Sequence, residues 1–171
     1  MGELDEAWAA ALSEAERRAR LAGRKDVAEY LSLKNSNDLL RTAGVDWLVS
    51  AFTNLAGDAN RAGASIQISK QDSHRFQTGS STMVGHLLTL MNGVRTLYVE
   101  AGWPRTPRDG FVRGGGLACA NIRHMGIKAA SEELLLAKSP SGAPAWKSAS
   151  KGHPFLESGI RRHIAILLDR H

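Results

Sequence analysis

The sequence is short of the features that assign a chain to a class at once. Cys119 is the only cysteine in 171 residues, which excludes an internal disulfide and any multi-cysteine metal site. No apolar run approaches the length of a membrane span, and no charged-then-apolar secretory leader opens the chain; the expectation is a soluble, cytoplasmic protein without membrane contact. No His-x-x-x-His and no Cys/His cluster of zinc spacing occurs among the six histidines, so neither a metal site nor a cofactor is called for. Gly-x-Ser-x-Gly is absent, and Cys119 in Leu-Ala-Cys-Ala reads as a small buried hydrophobe. No internal repeat is visible.

What is present reads as an α+β fold in one domain spanning 1–171. Hydrophobic content of 43% and charged content of 23% are ordinary globular values, and a chain of this length can bury a sizeable core. The strongest local signal is Asn92-Gly93 between two apolar-rich runs, Met83–Met91 and Val94–Gly102. Asn-Gly suits a type I′ turn, which predicts a hairpin with Met91 opposite Val94. In that register one face collects Val84, His86, Leu88, Leu90, Leu97, Val99 and Ala101, the candidate core. The other carries Leu87, Thr89, Met91, Thr96, Tyr98 and Glu100, a mixed surface.

Residues 1–62 read as helical. Leu4, Trp8, Leu12, Ala15, Ala19 and Ala22 recur at helical spacing, as do Trp47, Leu48, Ala51, Phe52, Leu55 and Ala59. Asn35-Ser36-Asn37-Asp38 offers a break between them. Residues 63–138 read as an antiparallel sheet of about six strands: Ser65–Lys70, His74–Thr78, the two hairpin strands, Leu117–Met125 and Ser131–Lys138. Residues 139–152, rich in Ser, Gly, Pro and Ala, read as a flexible connection. Residues 153–171 form a closing helix, with Pro154 in its first turn and Leu156, Ile160, Ile164, Leu167 and Leu168 as its stripe. Strands grouped between helices predict a curved sheet with helices on one face.

The most distinctive segment is the connection from Trp103 to Gly116, with Arg105, Arg108 and Arg113 beside two prolines and Phe111. Guanidinium groups bind carboxylate or phosphate through paired hydrogen bonds, and a stiff loop lowers the ordering cost. The competing reading has these arginines capping the sheet by bonding backbone carbonyls. Gly114-Gly115-Gly116 is not a phosphate loop, because a strand rather than a helix follows. For catalysis the ingredients are Glu100 or Asp109 as acid/base with His74 or His124, Glu100 and His124 being the pair to test, though nothing in the sequence joins them. His86 is expected as a neutral core histidine.

Charge is uneven: residues 1–62 carry a net −2 and residues 63–171 a net +7, which favours anionic partners. The pattern supports a non-enzymatic module that recognises a partner protein or small anionic ligand through Trp103, Arg105, Arg108, Phe111, Arg113 and Tyr98. The alternatives are an enzyme acting on an anionic substrate and non-specific nucleic-acid or polyanion binding; specific nucleic-acid recognition lacks a motif. A homodimer is compatible with the mixed second face of the sheet.

Overall fold

A computed structural model describes residues 3–169. The chain divides into two compact units, one ending at Leu40 and the other beginning at Arg41. The first contains helix α1 (Glu3–Leu21) and the opening turns of helix α2 (Lys25–Arg61). Gly23, at φ +77°, ends α1, and the Arg24 N–H turns back to the Ala19 carbonyl at 2.8 Å, the closure that glycine permits. Of the predicted α1 stripe, Leu12 and Ala19 are buried while Ala15 and Ala22 are exposed; the Leu4 and Trp8 side chains lie outside the described residues. The expected break at Asn35–Asp38 does not occur, since α2 runs through it. Each of these residues costs only a few tenths of a kcal/mol in a helix interior, roughly, less than renucleating a second helix.

The second unit is a six-stranded antiparallel sheet in the order β1-β2-β3-β4-β5-β6 with helices on one face. Its strands are β1 (Gln67–Thr78), β2 (Ser81–Asn92), β3 (Arg95–Trp103), β4 (Ala118–His124), β5 (Glu132–Lys138) and β6 (Pro144–Ser148), followed by helix α3 (Glu157–Leu167). The count of six agrees with the sequence, but two members differ. Ser65–Lys70 and His74–Thr78 belong to one strand, β1, which passes Asp72 and Ser73 as a bulge. The sixth strand lies in the stretch expected to be a flexible connection. There Pro144 takes the edge, where no N–H is needed, and the buried Trp146 donates its indole N–H to the Gly44 carbonyl at 2.8 Å. Pro154 is not in a helix; it bridges Lys147, and Phe155 N–H bonds the Trp146 carbonyl at 2.9 Å, so α3 starts later, at Glu157.

The β2–β3 turn is Gly93-Val94, with Asn92 opposite Arg95 and Met91 opposite Thr96. Only Gly93 has positive φ, +62°, the requirement of a type II′ turn rather than I′. Because the slip is two residues, every side chain keeps its predicted face. Leu88, Leu90, Leu97, Val99, Ala101, Ile122, Leu134 and Leu136 are fully buried or nearly so on the helix-covered face. Gly44 of α2 comes so close that a Cβ there would lie 2.5 Å from Leu136. Phe52, also fully buried, sets its ring 6.3 Å from His163 of α3. Each such large side chain stabilises by about 1.5–3 kcal/mol, so this layer is the main source of cohesion. Among the described residues no helix is long and apolar enough to cross a membrane.

Candidate functional site

The opposite face of the sheet carries a polar cluster built around Glu100. Its side chain is 5% exposed, yet it is well supplied with donors. His74 Nε2 lies 2.8 Å from Oε2, Asn121 Nδ2 donates to Oε1 at 3.1 Å, and Arg123 Nη2 lies 3.3 Å from Oε1. A buried carboxylate needs such partners to offset lost hydration. Arg123 also lies 5.9 Å over the Tyr98 ring, and Tyr98 is half-buried beside it.

Two local features bring His74 to Glu100. The first is the bulge: Gln71 pairs with Leu87 but His74 with Gly85, so one extra β1 residue faces His86. Without it, alternation would turn His74 to the helix-covered side; a bulge re-aims side chains in this way. The second is the glycine pair. Gly85 of β2 sits opposite Gly102 of β3, and a Cβ on Gly85 would fall 1.9 Å from the Ala101 carbonyl oxygen. With no side chains there, the imidazole crosses β2 to reach β3. It also stacks on Phe76, with ring centroids 5.7 Å apart.

The connection from Trp103 to Gly116 closes one end of this face. Arg105 donates through Nε and Nη2 to the Val84 carbonyl, at 3.3 and 3.1 Å, and its guanidinium lies 3.9 Å over the Trp103 ring. Both residues are thereby engaged within the fold, in agreement with the capping reading for this arginine. Asp109 accepts the Arg105 and Thr106 backbone N–H groups at 3.1 and 3.2 Å and faces Arg75 at 3.5 Å, which makes it a loop staple rather than an acid/base. Ser81 Oγ accepts from Phe111 N–H at 3.2 Å and donates to the Phe111 carbonyl at 3.0 Å. Val112 buries itself against Phe76, Met83, Cys119 and Leu135. Between these anchors Arg108 and Arg113 are exposed, and Phe111 is 80% exposed. Burial pushes the Cys119 thiol up to about 11, with Glu133 adding to the shift, so it is an inert core thiol.

The sequence expectation that joined Glu100 with His124 is overturned by the register. Glu100 pairs with Asn121 and Leu97 with His124, so the two side chains point to opposite sides of the sheet and cannot act on one substrate atom. His124 instead bonds His163 at 2.8 Å beneath α3. His86, expected in the core, is half-buried with Nδ1 2.8 Å from Asp72 Oδ1; alternation from Ile68 and Lys70 brings Asp72 to the helix-side face before the bulge turns His74 away. Asn121, Arg123, Glu132 and His163 were missed as partners. For His163 a signal existed: it lies three residues after Ile160 and four before Leu167, on the apolar stripe of the last helix. Among the described residues no group of three or more His, Cys, Asp or Glu side chains converges as a metal site. Compared with protein-family models, curated proteins and solved structures, the chain matches none.

Proposed function

We propose that the chain is a non-enzymatic interaction module that takes an acidic segment of a partner protein on the loop around Phe111. One observation carries this reading. On a loop pinned at Arg105, Asp109, Ser81 and Val112, Phe111 stands 80% exposed between Arg108 and Arg113, two exposed arginines. A large aromatic held exposed on an immobilised segment between two arginines offers a preformed contact, and Arg with aromatic residues is the usual composition of energetic centres in interfaces. Guanidinium groups select carboxylates through paired charge-assisted bonds. The crevice beside Arg113, lined also by Thr78, Asn121 and Glu133, holds only about 10 Å³, which suits a surface contact with a polypeptide better than the enclosure of a metabolite.

The test is affinity capture with cross-linking, comparing the wild type with R108E/R113E and F111A, all verified as equally folded. A partner cross-linked within residues 105–116 through an acidic segment, and lost from both variants, is the expected result. Equal retention by the variants would end the reading. Arg105 is left unchanged because its bonds to Val84 support the loop itself. A polyanion-binding surface would instead weaken steeply with salt and show no dependence on Phe111.

A second reading rests on His74. Glu100 holds its Nε2, and its Nδ1 makes no hydrogen bond among the described residues, an arrangement that would suit a general base beside Arg123 acting on an anionic substrate. Turnover of any phosphate- or carboxylate-ester probe that vanishes in His74→Gln would favour it over the interaction module.

A further inference from the structure

Beneath α3 a line of four side chains crosses the helix–sheet boundary. Arg162 Nη2 donates to Glu132 Oε2 at 2.8 Å, and His163 Nε2 lies 2.8 Å from the same oxygen. His163 Nδ1 lies 2.8 Å from His124 Nε2, the two rings stacked 5.1 Å apart. The carboxylate only accepts, so His163 Nε2 carries a hydrogen and its Nδ1 accepts from the His124 Nε2–H. His163 is 1% exposed and His124 5%, so both rings are largely shielded from water. The remaining surroundings are the Phe52 and Phe155 rings, 6.3 and 6.2 Å from His163, and Arg95, whose positive charge acts on His124.

We propose that this line is an acid-sensitive latch, holding α3 on the sheet at neutral pH and releasing it in mildly acidic surroundings. The chain of bonds can take one proton, on His163, if His124 moves its own hydrogen to Nδ1. A second proton puts hydrogens on both facing nitrogens at 2.8 Å, and two imidazolium rings then stack in a site largely shielded from water. Separation relieves this, because His163 rides on α3 while His124 and Glu132 belong to the sheet. Burial already pulls His124 down to about 4, with His163 and Arg95 adding to it. It also lowers His163 against the opposing pull of Glu132.

The helix is suited to leave alone. It has 11 residues, and its N-cap Leu156 offers no side-chain cap. Its far end is tied by Asn92 Nδ2 to the Leu167 carbonyl at 3.3 Å and by Arg95 Nη1 to the Ile166 carbonyl at 3.0 Å. Arg95 Nη2 also meets Asp169 Oδ1 at 3.2 Å, and Glu132 is itself a carboxylate, so the attachment holds two acids besides the histidine pair, and His124→Gln is the variant that separates the pair from them.

The experiment is pulsed amide exchange on the intact chain, equilibrated from pH 7 to pH 4.5 and labelled at one fixed pH. Protection over 157–167 should fall at least tenfold while that of 95–103 holds. His124→Gln, whose amide can still donate to His163 but cannot titrate, should keep α3 protected throughout. Loss of both segments together, or the same loss in His124→Gln, would overturn the proposal. If that variant does not fold, the imidazole Cε1–H resonances of the wild type decide: release with the buried pair still neutral refutes the latch, and titration at the release midpoint supports it.

Discussion

Replacing Glu100 tests whether the polar cluster holds the open face together. Glu100→Gln keeps the shape and removes the charge. One terminal atom becomes a donor facing His74 Nε2, which can answer by moving its own hydrogen to Nδ1; the remaining oxygen still accepts from Asn121 and Arg123. What is lost is charge assistance, about 1 kcal/mol for each of the two part-buried bonds, to His74 and Asn121. The Arg123 side chain is 55% exposed, so its share is largely screened, and about 2 kcal/mol of destabilisation is expected in sum. Glu100→Leu goes further, because it strands the Asn121 amide and the His74 Nε2–H against apolar atoms. An unsatisfied buried donor costs about 1–3 kcal/mol, and since both donors are part-buried the pair should cost about 2–4 kcal/mol. Urea unfolding followed by tryptophan fluorescence measures both, provided the slope with denaturant is unchanged. His74→Leu combined with Glu100→Leu should cost less than the sum of the two, since each removes the other's partner. A Glu100→Leu protein as stable as the wild type would refute the reasoning: the donors would then be hydrated from the open side, and the cluster would hold nothing together.

Two other perturbations follow from the same geometry. Gly85→Ala places a Cβ 1.9 Å from the Ala101 carbonyl oxygen and 2.6 Å from the Gly102 Cα; these are backbone atoms that cannot rotate away. The central strands must part, at a cost of about 3 kcal/mol or more, and a change below about 0.5 kcal/mol in urea unfolding would contradict the close approach. The second concerns pH. His124 is held at about 4 in the fold against an ordinary value of 6.5, so the unfolded chain binds the proton first. Stability is therefore complete above about pH 6.5 and declines as pH falls towards 4, by at most about 3 kcal/mol from this group. Unfolding free energies at pH 7 and 4.5 should converge in His124→Gln by that amount; an unchanged difference would assign the acid sensitivity to carboxylates instead.

What the sequence discloses and what it conceals divide along a physical line. Alternation over Met83–Gly102 gives the faces of the central hairpin, and these survive a pairing shifted by two residues because the side-chain period is two. Grouped strands between helical stripes give the α+β class for the same reason: both are patterns of many residues. The site depends on single residues. One extra residue at Asp72-Ser73 decides that His74 faces Glu100. Nothing in composition marks that spot, where a polar run reads equally as a turn. The His124–His163 contact joins residues 39 apart, and its partner lay unnoticed on an apolar helix face where the eye counts leucines. The loop was visible from its arginines and prolines, but the division of labour within it was not. Arg105 serves the sheet because the Val84 carbonyl and the Trp103 ring happen to lie beneath it, while Arg108 and Arg113 point outward from the same backbone. The loop is thus its own control: altering the outward pair should change recognition and leave stability alone, whereas altering Arg105 should lower stability.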